Sequence, residues 1–423
     1  MEYTQVPIAV GEKSYDVAIP NLVGILSPSV VPGVKDPRAE IQRAIHNPIG
    51  SPRLCDIARG KHSAVIVIND ITRPYPGGLM VKEIANELTQ AGMTDEEVFL
   101  LVAYGNHRKN TDAELCSHYG EDVIHRFRII HHEATNFDHL HYLGKTAGGM
   151  DVQLNRFFCE AEVKVLTGCI TPHQLAGFSG GRKSVMPGIA GIDSLKQHHS
   201  LPIRPASTSC GWIDGNLFHA EATDAARMAG VDFIVNSVDN ANRELVECVC
   251  GDLSEAYMHG VSVSRSIWTV PVPCKPDVVI VSPGGYPRDF DLHQSQKAVG
   301  CAEMLCRKGG MIILCAEARD GSGKPGRCLA AASSPQEVID RFVTGGYTPD
   351  AVSKAYMLAR AATQFRIAVA QSKIPIDELN TMFLEGYPTI EAAIAAALKE
   401  YGPDASFMVV PHASEMIPNV AQA

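Results

Sequence analysis

The reactive side chains with the most suggestive spacing lie in one segment, residues 171–191, which reads TPHQLAGFSGGRKSVMPGIAG. His173 and Lys183 stand there among residues that favour turns. Gly177 and the pair Gly180–Gly181 would let backbone N–H groups approach a ligand closely, as in phosphate-binding loops. The glycine spacing fits neither the Walker loop nor the dinucleotide fingerprint. A purely structural turn has no need of a lysine close to paired glycines, so we interpret the segment as a ligand site.

Two further polar clusters stand directly after predicted strands. The segment Asp70–Pro76, DITRPYP, ends in a proline-rich turn, and Arg73 offers a planar fork suited to a carboxylate or phosphate. Asp70 can accept hydrogen bonds from a ribose or from backbone, although a capped turn with a surface arginine remains open. Residues 105–108, GNHR, contain His107, a candidate acid/base because imidazole titrates near neutrality.

Two more clusters complete the set. The neighbours His198–His199 cannot both face one site on a helix, so one is a candidate metal ligand and the other is expected to be exposed. The segment Ser282–Pro287, SPGGYP, opens a second series of elements. Gln294 and Lys297 follow it three residues apart and would share a helix face. An anionic substrate could then be held between Lys297 and Arg73.

Short β-branched runs alternate with helical stretches and must position these side chains. Continuous apolar strands separated by helices indicate a largely parallel sheet covered on both faces. We therefore predict an α/β fold with two open, mostly parallel Rossmann-like domains and the active site in the interdomain cleft, where strands end and loops begin. The predicted strands are Ala64–Asp70, Val98–Gly105, Arg128–Glu133, Glu162–Ile170, Asp232–Asp239, Asp277–Ser282, Met311–Ala316, Arg366–Gln371 and Ser406–Val410.

A proline-rich stretch divides the chain. Pro271, Pro273 and Pro276 cannot sit inside a helix or a central strand, which indicates a boundary there. We predict a catalytic and cofactor-binding domain over 1–270, a second α/β domain over 271–403, and a terminal strand and tail over 404–423 that could return to the first domain. Residues 77–93 and 390–401 are predicted helices, the latter with Thr389 as N-cap and Gly402 past its end.

Composition narrows the classes of function. The 423 residues include 45% hydrophobic and 20% charged residues, which is typical of a globular protein, and the net charge is −10. An acidic surface argues against nucleic acid or an anionic membrane as partner. The N-terminus does not resemble a signal peptide, no apolar run is long enough to span a membrane, and the 12 cysteines are scattered. These features predict a cytoplasmic protein.

Together these motifs resemble the nickel-dependent lactate racemase family over nearly the full length. The resemblance rests on DITRPYP at 70–76, GNHR at 105–108, the loop at 172–191, His199 beyond it, and SPGGYP with HQSQK at 282–297. Each motif alone is weak, but five in the same order and spacing are specific.

The resemblance implies a racemase or epimerase that acts at C2 of an α-hydroxy acid. It also implies a nickel pincer nucleotide, Ni(II)-pyridinium-3,5-bisthiocarboxylate mononucleotide, supplied by cofactor-synthesis accessory proteins and bound covalently through Lys183. The resemblance assigns residues as follows: His107 and His173 as paired acid/bases, His199 as nickel ligand, Asp70, Ile71, Thr72, Arg73, Lys183 and His199 as cofactor ligands, and Arg73, Gln294 and Lys297 as substrate ligands.

Elementary chemistry supports this set of residues. A hydroxy acid has no ketone or imine next to its α-C–H, so a side-chain base alone should not remove that proton at a useful rate. Removing hydride while a histidine takes the hydroxyl proton gives a flat 2-keto acid, and a cofactor carries the redox step. His293 stands where the resemblance leads us to expect an aromatic residue in a lactate enzyme. A homologue of lactate, short-chain, sugar-derived or dicarboxylic, therefore fits as substrate.

Other classes of protein remain open from the residues alone. A zinc or nickel hydrolase would need closely spaced ligands such as His-Glu-x-x-His, which the sequence lacks. Redox chemistry with free NAD would need the dinucleotide fingerprint. A non-catalytic nickel or nucleotide carrier or sensor is the third alternative, and it leaves the paired histidines and Lys297 without a role.

Overall fold

A computed structural model describes residues 2–72, 75–201, 210–348 and 351–420. Within those ranges the strands are β1 Tyr3–Val10, β2 Lys13–Pro20, β3 Leu22–Ile25, β4 Ala64–Asn69, β5 Val98–Ala103, β6 Arg128–His131, β7 Leu140–Lys145, β8 Asp151–Asn155, β9 Val163–Cys169, β10 Pro172–His173, β11 Gly177–Phe178, β12 Phe233–Asp239, β13 Leu245–Gly251, β14 Thr269–Val272, β15 Val278–Val281, β16 Met311–Cys315, β17 Arg366–Ala370, β18 Glu385–Tyr387, β19 Phe407–Val410 and β20 Ile417–Val420. The α-helices are α1 Pro37–His46, α2 Leu54–Ile57, α3 Gly77–Gln90, α4 Asp112–Tyr119, α5 Glu121–Ile124, α6 Arg156–Glu160, α7 Ile192–His199, α8 Leu217–Met228, α9 Glu255–Trp268, α10 Leu292–Leu305, α11 Gly323–Ala330, α12 Pro335–Gly345, α13 Ser353–Ala362, α14 Ile376–Thr381 and α15 Ile390–Tyr401.

The first sheet has the strand order β13-β12-β9-β4-β5-β6. Neighbours are parallel except β12 and β13, which are antiparallel. The central strand β4 is buried from Ala64 to Ile68, because helices cover both faces of a parallel sheet and demand apolar side chains on each. All five strands predicted for this half of the chain are confirmed.

The second sheet has the strand order β18-β17-β16-β15-β19-β3 and is parallel throughout. Its four predicted strands, β15, β16, β17 and β19, are confirmed. Helix α15 begins after Thr389, whose side chain accepts a hydrogen bond from Ala392 N, and ends before Gly402, as predicted. The α/β class with two mostly parallel sheets is therefore confirmed.

The N-terminal strands join the second half of the molecule, which the sequence patterns did not predict. Strands β1 and β2 form a hairpin whose side chains Ile8 and Ile19 are buried in one apolar cluster with Ile280 and Ile313, while β3 extends the second sheet beside β19. Near the other terminus, β20 pairs in parallel with β14. Pro271 is tolerated in β14 because this pairing has only two strands. The predicted division at 270/271 and 403/404 stays a prediction.

Both sheets have a point at which the chain reverses its direction of progress across the sheet. In the first, β4, β5 and β6 proceed one way, while β9 and β12 proceed the other way. In the second, β15, β16 and β17 proceed one way and β19 lies on the opposite side of β15. Loops that follow the two strands at such a point diverge and leave a crevice for a ligand. Four of the five sequence clusters directly follow β4, β5, β9 or β15, and His198–His199 lies at the end of α7. In the described ranges, no helix has the length and apolar character needed to cross a membrane.

The buried hairpin gives a stability prediction. Ile8→Ala removes apolar volume from a fully buried position, and we expect a loss of about 2–5 kcal/mol in the free energy of unfolding. Val30→Ala, at a fully exposed position, is the control and should change it by less than about 0.5 kcal/mol. Urea unfolding followed by circular dichroism measures both, and equal effects would show that the hairpin adds nothing to this core.

Candidate active site

A carboxylate and an imidazole meet at the carboxyl end of β4. Asp70 is buried, and its Oδ1 accepts hydrogen bonds from Thr72 N at 3.1 Å and Thr72 Oγ1 at 2.6 Å. Its Oδ2 lies 2.6 Å from His107 Nδ1. Because an ionised carboxylate only accepts hydrogen bonds, the ring carries its proton on Nδ1, and the lone pair of a neutral ring is on Nε2. His107 is therefore oriented as a base, with 41% of its side chain exposed.

A second imidazole has the opposite arrangement. His173, in the short strand β10, accepts hydrogen bonds at Nδ1 from the backbone N–H groups of Leu175 and Ala176, each at 3.2 Å. Backbone N–H groups can only donate, so a neutral ring carries its proton on Nε2. That nitrogen lies 3.0 Å from Lys183 Nζ. The two sequence-predicted residues of the glycine-rich loop are thus brought into direct contact.

The glycines of this loop serve packing within the protein. A Cβ atom at Gly180 would lie 2.6 Å from Asn236 Oδ1, and one at Gly177 would lie 2.1 Å from the carbonyl oxygen of Trp212. The N–H of Gly181 donates to Asn236 Oδ1 at 2.7 Å. The expectation that these glycines expose N–H groups to a ligand is therefore wrong for Gly181, because its donor is already used inside the fold.

Arg182 holds the same loop from inside. It is 1% exposed, its Nη2 donates to the carbonyl oxygen of Ala176 at 2.8 Å, and its Nη1 donates to Tyr257 OH. Its guanidinium also lies over the Tyr257 ring, 4.4 Å from the centroid. Burial lowers the pKa of Arg182. Arg182 therefore stabilises the conformation of the loop directly before Lys183.

His198 and His199, at the end of α7, differ in burial and in their hydrogen-bond partners. His198 is buried and its Nε2 donates to the carbonyl oxygen of Phe218 at 2.9 Å, so the expectation that one of the pair is exposed is wrong. His199 is half-buried, and its Nδ1 donates to the carbonyl oxygen of Leu195 at 3.0 Å. Burial lowers the pKa of His199 to about 4. Its neutral ring therefore has its lone pair on Nε2.

The second half of the chain contributes a cation on α10. Asp291 caps this helix by accepting from Gln294 N at 2.7 Å, and Lys297 Nζ donates to Gln294 Oε1 at 2.6 Å. The predicted shared face of Gln294 and Lys297 is thus confirmed. Burial raises the pKa of Asp291, while the charges of Lys297 and His107 oppose that shift. The start of α10 therefore lies within electrostatic reach of His107.

His293 shows that the two halves converge. Burial lowers its pKa well below the usual range, and the basic groups Lys354, Lys297, His107 and His199 add to the effect. Two of these four groups lie in the first half of the chain and two in the second. Basic groups from both halves of the chain therefore lie within electrostatic reach of His293, as an anionic ligand requires.

Sequence reasoning missed the contact between Gln174 and Lys354. Lys354, on α13, is 6% exposed and donates to Gln174 Oε1 at 2.6 Å, next to His173 in the chain. No motif surrounds Lys354, so no sequence signal pointed to it.

The segment after β4 is described only in part. Ile71 N donates to Asn110 Oδ1 at 3.2 Å. Arg73 lies outside the described residues.

Two family models match this chain. The model of the lactate racemase N-terminal domain matches residues 10–210, and that of the lactate racemase C-terminal domain matches residues 272–417. The chain belongs to the lactate racemase family. The resemblance drawn from the five motifs is confirmed.

The similarity to individual lactate racemases extends over most of this chain. A lactate racemase from Thermoanaerobacterium thermosaccharolyticum is 30% identical over 427 residues, 99% of each chain. A lactate racemase from Lactiplantibacillus plantarum is 32% identical over 378 residues, 88% of each chain. The structure of the lactate racemase apoprotein from T. thermosaccharolyticum has a TM-score of 0.90 at 29% identity, and the match covers 98% of this chain and 100% of that one. A Thermotoga maritima protein shares the fold, with a TM-score of 0.67 at 18% identity.

Because its relatives are lactate racemases, this chain is an isomerase, as predicted, and it acts on a small molecule. Membership also gives the converging basic groups a context. His107 and His173 hold their protons on different ring nitrogens, so one ring presents a lone pair at Nε2 and the other an N–H.

The hydrogen bonds predict opposite tautomers for the two rings. In the cofactor-free protein at pH 8, we expect His107 as the Nδ1–H form and His173 as the Nε2–H form, because of their partners. Long-range ¹H–¹⁵N correlation spectra of the imidazoles distinguish the two forms. Loss of single signals in His107→Gln and His173→Gln assigns them among the 16 histidines. The same tautomer in both rings would contradict the site geometry.

Proposed function

We propose that this chain interconverts stereoisomers at C2 of an α-hydroxy acid by proton-coupled hydride transfer. The proposed cofactor is the nickel pincer nucleotide Ni(II)-pyridinium-3,5-bisthiocarboxylate mononucleotide, made by accessory proteins and attached through Lys183. The observation that carries the proposal is the pair of imidazoles with opposite hydrogen-bonding patterns. One has a basic Nε2 and the other has an N–H at Nε2 that contacts the lysine.

The residues in place suit such a cofactor. His199 uses Nδ1–H on the Leu195 carbonyl, and the remaining imidazole nitrogen is a good nickel ligand. In the described part of the chain, no three His, Cys, Asp or Glu side chains are grouped to hold a metal. His199 therefore fits as a single protein ligand beside donors from a bound group. The remaining proposed cofactor ligands are Asp70, Ile71, Thr72, Arg73 and Lys183.

The chain's own residues move the proton. A bound cofactor of this kind would supply reversible hydride chemistry at C2 of the substrate. His107, oriented by Asp70, accepts the hydroxyl proton at Nε2. The resulting 2-keto acid is planar at C2. Once it has turned, the product oxygen takes a proton from His173 Nε2, and the proton held by His107 returns to His173 through solvent. The reverse reaction exchanges the two roles.

The substrate carboxylate is assigned to α10. The ammonium of Lys297 and the amide of Gln294, 2.6 Å apart through their polar atoms, can both hold a carboxylate, and Arg73 is the third proposed ligand. His293 and the buried Lys354 make the surroundings more polar than the methyl group of lactate needs. We therefore assign a homologue of lactate with a polar, sugar-derived or dicarboxylic side chain.

Peptide mass spectrometry tests the attachment of the cofactor directly. Protein produced together with the cofactor-synthesis enzymes is expected to carry a mass increase on the peptide that contains Lys183 and about one nickel per chain. Lys183→Ala should lose the added mass, whereas Lys145→Ala, on an exposed side chain, should keep it. Fully active protein with an unmodified Lys183 would refute the covalent link.

Loss of the proposed base should stop the reaction without removing the cofactor. We expect His107→Ala to lower kcat by about 100-fold to 10,000-fold, since that is the usual contribution of a positioned acid/base, at unchanged nickel content. His62→Ala changes a largely exposed histidine that also pairs with a carboxylate, so it serves as the matched control. Undiminished racemisation by His107→Ala would exclude the assigned role.

The polar surroundings predict the substrate preference. In a panel of 2-hydroxy acids read by chiral chromatography, we expect kcat/KM for a dicarboxylic or polyhydroxy acid to exceed that for lactate by about tenfold or more, about 1.4 kcal/mol. His293→Phe should shift the preference toward lactate. A wild type that prefers lactate would overturn the substrate assignment, and a loaded protein that scrambles no member of the panel would favour a carrier.

A further inference from the structure

The contact between His173 Nε2 and Lys183 Nζ, 3.0 Å long, has no part in the mechanism above. There, one residue moves a proton and the other anchors a cofactor. The contact nevertheless restricts the protonation of both partners. What it permits can be worked out from the donors and acceptors on each side.

His173 must be the donor in this contact. Its Nδ1 already accepts from two backbone N–H groups, those of Leu175 and Ala176. A proton on Nδ1 would point at two other donors, so the ring proton lies on Nε2, the nitrogen that faces Lys183. An Nε2–H group needs an acceptor at Nζ.

An ammonium group offers three donors and no acceptor, whereas a neutral amine has one lone pair. Lys183 can therefore complete this hydrogen bond only as the neutral amine. The buried guanidinium of Arg182, which directly precedes Lys183 in the loop, favours the same state. A second positive charge close to Arg182 would be opposed by Coulomb repulsion.

From this geometry we infer that His173 holds the Lys183 amine neutral and nucleophilic in the cofactor-free chain, ready for acylation by a thiocarboxyl group of a pyridinium mononucleotide. The acylation part rests on the proposed function. In that step the amine nitrogen bonds to the thiocarboxyl carbon and the carbon–oxygen bond breaks. The oxygen leaves as water, with one proton from the amine and one from the thiocarboxylic acid, and no electrons are exchanged.

The same step changes the partner of His173. A thioamide nitrogen has delocalised its lone pair and no longer accepts a hydrogen bond. Acylation of Lys183 therefore ends the acceptor role that this contact requires, and His173 Nε2 becomes available to a substrate oxygen. Positioning of the lysine before loading and proton transfer after loading are successive tasks of one imidazole.

The test measures the amine itself in cofactor-free protein and needs no activity. Trace labelling with isotopically coded acetic anhydride, read by peptide mass spectrometry from pH 6 to pH 8, reports the neutral fraction of each lysine. For exposed Lys61 and Lys145, labelling should rise about tenfold per pH unit, as for an ordinary lysine. For Lys183 we expect less than about a threefold change across the range.

Three variants isolate the role of His173. His173→Ala removes the donor and admits water, so Lys183 should acquire the slope of about tenfold per pH unit. His173→Gln places an amide N–H at similar reach and should keep the flat profile. His107→Ala alters the other imidazole of the site and should also stay flat. Melting curves check that each variant is folded. If His173→Ala does not fold, the dependence of wild-type Lys183 labelling on pH tests the inference by itself.

The outcomes separate this inference from the proposed function. A wild-type Lys183 that labels with the slope of Lys61, or a flat profile in His173→Ala, overturns the inference even if the loaded protein carries the cofactor mass. A flat wild-type profile that His173→Ala abolishes supports the inference even if no cofactor mass is ever found on Lys183.

Discussion

Each neutral imidazole carries one proton, and the fold decides which nitrogen holds it. Asp70 takes the proton-bearing Nδ1 of His107, while two backbone N–H groups occupy Nδ1 of His173. The remaining nitrogens of the two rings then have opposite character, one basic and one with a proton. In the proposed reaction, one ring removes the hydroxyl proton and the other supplies a proton to the product oxygen, which this arrangement allows.

The segment 172–177 connects this arrangement to both halves of the molecule. Within it, His173 contacts Lys183 of the same half, and the next residue, Gln174, accepts a hydrogen bond from Lys354 on α13 of the second half. Leu175 and Ala176 pack in an apolar cluster with Phe342 and Met357. The orientation of His173 thus depends on contacts from both sheets. A change in the interface between the halves would therefore alter the position of His173 through its own loop.

Much of this architecture could be predicted from the sequence because it depends on local patterns. Apolar strands such as β4 and β15 stand out by composition, and polar clusters that directly follow them fall at the ends of parallel strands. The shared face of Gln294 and Lys297 follows from helical spacing alone. Positions fixed by these periodicities, including the cap at Thr389, are therefore predictable.

Features that depend on distant partners could not be predicted in this way. Gly181 uses its N–H on Asn236, 55 residues further along the chain, so glycine spacing alone suggested a ligand where the fold supplies its own acceptor. Lys354 reaches Gln174 across 180 residues of sequence and belongs to no motif. The tautomer of His173 depends on where two N–H groups point, which residue types do not reveal. The hairpin of β1 and β2 likewise packs against strands that follow more than 250 residues later.

The central claim is that the hydrogen on C2 leaves with its electron pair while the imidazoles handle only the hydroxyl proton. The most direct test is racemisation of a 2-hydroxy acid that carries deuterium at C2, run in ordinary water with loaded protein and followed by mass spectrometry of both enantiomers. The account predicts that the product enantiomer keeps its C2 deuterium, because a hydride does not exchange with solvent. Replacement of that deuterium by solvent hydrogen at the rate of racemisation would contradict it and indicate proton abstraction from carbon.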